Sequence, residues 1–107
     1  MPAMHVTEAE SAVLDALWRC GPLPPARLVL EVKARRDWGE ATIKTLLGRL
    51  MQKKIVRSAK TDGVLRYHPL IDRQAYVASE VDQLVARLFD GDRAALATFL
   101  ATAPAEG

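Results

Sequence analysis

The 107 residues hold one cysteine, two histidines and no asparagine. A lone thiol, Cys20, excludes an intrachain disulfide and a multi-cysteine metal site. His5 and His68 lie far apart without companions at ligand spacing, so neither a metal nor a cofactor is expected, and both read as surface or hairpin residues. Cys20 falls at the end of the first predicted helix, beside Leu17 and Trp18, where partial burial is the expectation for a free thiol. Long apolar runs are missing too. No window approaches the roughly 18 consecutive apolar residues of a membrane helix, and the opening MPAMHV has neither a basic n-region nor an apolar h-region. The reading is a cytoplasmic chain without membrane insertion. There is no nucleophile with a plausible base, no glycine-rich phosphate loop and no ligand cluster, so no enzyme is expected. Internal repeats and low-complexity tracts are absent as well.

Half of the residues are hydrophobic and 26% are charged, which describes a folded chain with one core and room for an appended element. The net charge of +2 is unevenly spread. Residues 1–38 carry five basic and five acidic side chains, residues 39–66 seven against two, and residues 67–107 three against six. A positive middle suggests a polyanion partner for that segment, and the acidic tail another task.

Thr7 followed by Glu10 is a capping box, and Val13, Leu14, Leu17 and Trp18 recur at helical spacing until Gly21-Pro22, which predicts a first helix over about 8–20. Pro24 and Pro25 suit a helix entrance, and Leu28, Val29 and Val32 mark one face of a second helix over about 25–36. Gly39 is a modest N-cap for a third, about 40–53, whose stripe is Ile43, Leu46, Leu47, Leu50 and Met51. IVRSAK and VLRYH flank Thr61-Asp62-Gly63, a hairpin signal. Asp72 and Asp92 can cap two further helices, the first ended by Gly91, and residues 103–107 form an expected frayed tail.

On the third helix, Ala41, Lys44, Thr45, Gly48 and Gln52 oppose the apolar stripe, with Thr42, Arg49 and Lys53 along one flank, and none of them is a carboxylate. A merely solvated face usually mixes signs at i, i+4, and here Glu40 and Lys44 form the single such pair. Lys60 and Arg66 flank the hairpin turn and are expected to extend the same positive surface. A helix of this kind beside a basic hairpin suits a winged helix-turn-helix, in which the helix enters the major groove and the wing touches backbone. Lys44 and Arg49 suit guanine or phosphate, Gln52 adenine, and the threonine methyls thymine. Gly48, which costs about 1 kcal/mol against alanine inside a helix, reads either as admitting close approach of a sugar-phosphate backbone or as a tolerated surface glycine with no role.

With these residues assembled, the sequence resembles the BlaI/MecI penicillinase-repressor family. The resemblance rests on TEAESAVLDALW at 7–18, DWGEATIKTLLGRLMQKK at 37–54 and DGVLRYHPL at 62–70, and covers nearly all of residues 5–90. It implies a winged-helix repressor that binds a dyad operator as a homodimer, often upstream of antibiotic-resistance genes, and is paired with a membrane sensor protease. Thr42, Lys44, Thr45 and Arg49 occupy the recognition-helix positions. Three residues depart from the family pattern: Gly39 in place of a capping Ser, Gly48 in place of a polar side chain, and Lys54 in place of a helix-ending Gly. The Cys-x-Cys pair of the copper-responsive branch is absent, so copper sensing is not expected. Family members are released by cleavage at an Asn-Phe bond; this chain has Thr98-Phe99-Leu100 near that place and stops soon after, so release by that cleavage is not expected either.

The resulting expectation is a mostly α fold with a small β-hairpin: a winged-helix DNA-binding domain over residues 5–71, and a helical dimerisation region over 72–102. Val77, Val81, Leu84, Val85, Leu88, Phe89, Leu96, Phe99 and Leu100 are too many large apolar groups for one core to absorb and are assigned to the dimer contact. The rival is a winged helix that binds an acidic protein without reading sequence.

Overall fold

The computed structural model describes residues 5–102; the expected tail over 103–107 lies outside the described residues. Five helices and one hairpin follow in the order α1 (Glu8–Cys20), α2 (Pro25–Lys33), α3 (Glu40–Gln52), β1 (Val56–Thr61), β2 (Val64–Pro69), α4 (Arg73–Leu88) and α5 (Arg93–Thr102). The chain divides into two compact units, one reaching to Arg73 and the other starting at Gln74.

In the first unit α1 packs on both α2 and α3, and the hairpin closes against α1, α2 and α3. The core is the meeting of the helical stripes: Val13, Leu14 and Leu17 from α1, Leu28 and Val32 from α2, Ile43, Leu46, Leu47 and Leu50 from α3, with Ile55 and Val56 leading into β1. The capping box of α1 is formed, Glu10 N–H donating to Thr7 Oγ1 at 3.1 Å and Thr7 N–H to Glu10 Oε1 at 3.0 Å. Two orphan donors at the helix start are thereby satisfied reciprocally. Pro24 and Pro25 stand at the N-cap and first helical position of α2. That helix ends three residues before the expected boundary, in a closing turn where the N–H groups of Arg35 and Arg36 both donate to the Val32 carbonyl.

The hairpin pairs β1 and β2 antiparallel around Asp62-Gly63, both with positive φ (55° and 77°), the geometry a two-residue type I′ turn requires. Leu23, between α1 and α2, forms a third, single-residue rung with Tyr67 through two backbone hydrogen bonds of 3.3 and 2.8 Å. The wing is therefore tied to the α1–α2 turn. Trp18 adds a second tie, its indole N–H donating to the Ile71 carbonyl at 2.9 Å.

Cys20 is exposed, against the expectation of partial burial. It is the last residue of α1, where Gly21 turns the chain with a φ of 81° and the next apolar residue to enter the core is Leu23. The thiol thus lies just past the end of the packed stripe.

In the second unit Val85 is buried and Val81, Leu84, Phe89 and Leu96 are half-buried. The rings of Phe89 and Phe99 lie 6.1 Å apart and are tilted by 53°. Arg93 forms an ion pair with Asp82 between the two helices, and Asp92 caps α5 by accepting from the N–H groups of Ala94 and Ala95 at 3.0 and 3.2 Å. Among the described residues no helix is long and apolar enough to cross a membrane.

Candidate nucleic-acid interface

Ile43, Leu46, Leu47 and Leu50 of the α3 stripe are taken up by the core and Met51 is half-buried, so the opposite face must point outward. Thr42, Lys44, Thr45, Gly48, Arg49 and Gln52 are all exposed, as the 3.6-residue period requires. Gly39 starts the helix in an extended conformation without a side-chain cap. Its end is more distinctive. Ile55 N–H donates to the Leu50 carbonyl at 2.9 Å and Lys54 N–H to Met51 at 3.0 Å, with Lys54 at a φ of 63°. This is a Schellman closure with lysine in the left-handed position that glycine favours. Leu50 and Ile55, the two apolar residues such a closure brings together, are both buried, and their burial offsets a backbone strain of about 1–2 kcal/mol.

Lys44 Nζ lies 2.8 Å from Glu40 Oε2. That hydrogen bond, with the charge behind it, raises the lysine pKa and lowers the glutamate pKa. Both groups are well exposed, so the pair holds the ammonium only loosely. Thr45 Oγ1 donates back to the Ala41 carbonyl at 3.0 Å, so its hydroxyl hydrogen is already engaged. Among the described residues no carboxylate pairs with Arg49, Lys60 or Arg66.

Lys53 behaves differently from its neighbours. Its ammonium donates to Glu10 Oε1 at 2.6 Å and to the His5 carbonyl at 3.0 Å. Glu10 is only 1% exposed, and an unpaired charge there would be strongly destabilising. The lysine expected on the DNA face is instead the counter-ion of the α1 capping box.

The hairpin also corrects the reading of the wing. Lys60 pairs with Leu65 and Arg66 with Ala59. Adjacent rungs point to opposite faces of a two-stranded ribbon, so the two cations do not extend one surface. Lys60 shares its face with Val56, Ser58, Leu65 and Tyr67, and Arg66 shares the other with Arg57 and His68.

A side chain not singled out in the sequence, Tyr67, closes a cleft of about 410 Å³ between α2, α3 and β2. The period-2 pattern of VLRYHP places it on the same face as Leu65, which is the signal that could have found it.

Fold and face together define a winged helix-turn-helix protein whose third helix presents no carboxylate from Ala41 to Gln52. The penicillinase repressor profile matches residues 6–106, and the chain belongs to that family. It is 36% identical over 96 residues to a transcriptional regulator BlaI of Mycobacterium tuberculosis, covering 87% of this chain and 70% of the relative. Against the penicillinase repressor of Bacillus licheniformis the identity is 26% over 87 residues, covering 81% and 68%. The solution structure of monomeric B. licheniformis BlaI in complex with the blaP half-operator superposes with a TM-score of 0.62 at 27% identity, over 70% of this chain and 92% of that one.

Proposed function

We propose that the chain is a DNA-binding transcriptional repressor that reads operator DNA with the outward face of α3 and works as a homodimer through α4 and α5. The observation that carries this is the face itself: from Ala41 to Gln52 every exposed residue is neutral or basic, on a helix whose other side is locked into the core. Arg49 and Lys44 are suited to guanine or phosphate, Gln52 to adenine, and the methyl of Thr45 to thymine. Lys60 sits one rung from the hairpin tip and suits a phosphate. The named regulators among the relatives support control of antibiotic-resistance genes as the biological setting; a membrane sensor protease upstream rests on the family resemblance alone, and the proposed site of action is the cytoplasm.

In this reading residues 5–71 bind DNA and residues 72–102 dimerise. Leu88, Phe99 and Leu100 are 58%, 55% and 65% exposed and Val77 is 38% exposed, a concentration of large apolar groups that a second copy would cover. Val85 is already covered within its own unit and contributes to that surface only from beneath. A two-fold pair would place two α3 helices about 34 Å apart, one helical turn of DNA.

Fluorescence anisotropy against a palindrome selected from random duplexes, and against a scrambled duplex, tests the assignment. A repressor prefers the palindrome by about a thousandfold or more and loses affinity steeply as salt rises. Equal affinity for both duplexes would instead make the chain a winged-helix module for acidic partners.

A further inference from the structure

The cleft between α2, α3 and β2 lies beside the outward face of α3 and shares Lys44 and Gly48 with it. Its walls are Leu28 and Val29 from α2, Leu47 and Met51 from α3, and Tyr67 from β2, with Lys44 and Gly48 along the α3 rim. The volume of about 410 Å³ lies within the roughly 300–1,000 Å³ of small-molecule clefts, and an apolar lining with few convergent polar groups is their usual composition.

Two further observations bear on what the cleft admits. Gly48 stands mid-helix at the rim, and a Cβ built there would meet nothing within 4 Å; no packing inside the chain calls for glycine at this position. The polar groups at the rim also share one preference. Lys44 brings an ammonium held only by the exposed Glu40, and an adjoining depression that shares Val29 and Lys44 adds Lys33. Cleft and adjoining depression together thus set two cations, Lys44 and Lys33, against one carboxylate, Glu40, with the Tyr67 phenol on the cleft wall as a further donor.

We propose that this cleft is an effector site for a small amphipathic organic anion, its flat apolar body between Val29, Leu47 and Met51 and its carboxylate at Lys44 and the Tyr67 hydroxyl. Because Lys44 and Gly48 belong to both the cleft rim and the outward face of α3, an occupant and operator DNA exclude each other. The competition rests on the operator reading above; the binding itself does not.

The test uses naphthalene-1-acetate as probe and its neutral amide as control, titrated into the full chain and followed by backbone amide NMR. Shifts should concentrate at Val29, Lys44, Gly48, Met51 and Tyr67, and the carboxylate should bind about tenfold tighter than the amide, as a charge-assisted hydrogen bond implies. Tyr67→Phe should weaken the carboxylate and leave the amide unchanged. Val29→Phe should abolish both while the dispersed spectrum and operator affinity persist. Addition of operator should reverse the shifts. Shifts confined to residues 76–100, or equal affinity for acid and amide, would overturn the site. Probe binding that operator leaves untouched would overturn the mutual exclusion while leaving the direct binding result to stand on its own.

Discussion

Lys54 shows how one residue can run against local preference and still be retained. Its left-handed φ of 63° allows the Schellman closure that seats Ile55 under the end of α3. Replacing it by glycine removes the Cβ strain at the cost of extra freedom in the unfolded chain, so Lys54→Gly should stabilise the protein by about 1 kcal/mol. Urea unfolding at fixed protein concentration measures this; a destabilised variant would mean the lysine side chain makes a contact that outweighs the strain. The family resemblance already marked this position, since Lys54 stands where that pattern has a helix-ending glycine. Cys20 was misread at the same scale. Helical spacing predicts which face a residue is on, but not that the packed stripe stops one turn before the helix does.

At the scale of elements, the helices were legible because each carries a complete apolar stripe bounded by caps or prolines. What the sequence concealed was pairing across distance. Glu10 and Lys53 are 43 positions apart, and nothing local signals that the capping carboxylate of α1 also anchors the end of α3. Burial raises the pKa of Glu10, but its hydrogen bonds with Lys53 and Thr7, and the charge of Lys53, outweigh that and hold it below the ordinary value of 4.5. A carboxylate whose pKa is lowered on folding contributes stability that is complete above its unfolded pKa and lost as pH falls through the folded one. Stability should therefore decline below about pH 4.5, and Glu10→Gln should flatten that decline when unfolding is followed from pH 6 to pH 2; an unchanged slope would show the pair to be energetically idle. Lys53→Met should cost on the order of 2 kcal/mol, less than the roughly 3–5 kcal/mol of a fully buried pair, since the lysine is 35% exposed. The wing register, in contrast, was available from the sequence: a two-residue turn at Asp62-Gly63 dictates that Lys60 and Arg66 fall on opposite faces. Lys60→Ala should weaken specific and scrambled duplexes about equally and lower the salt slope by about one, a result that a base-reading wing would replace with loss at one position.

For the whole molecule, the first unit holds a well-filled core, whereas the second leaves Leu88, Phe99 and Leu100 mostly exposed. That imbalance was visible in the sequence as a surplus of apolar residues after position 73; which of them are covered within the unit was not, because Val85 and Leu88 stand three positions apart on one side of α4 and yet only the first is buried. Sedimentation of the intact protein at micromolar concentration should show a dimer, and truncation after Phe89 a monomer with a folded winged helix and weaker operator binding. A monomeric intact chain would contradict the role given to α4 and α5. The account as a whole stands on the outward face of α3, and the most direct test is anisotropy of Arg49→Ala and Lys44→Ala against the selected palindrome and its scrambled counterpart. Each variant should lose about 1–3 kcal/mol, roughly five- to 150-fold, on the palindrome and much less on the scrambled duplex, with an unchanged folded spectrum. Wild-type affinity for the palindrome in both variants would contradict the assignment of α3 as the reading helix.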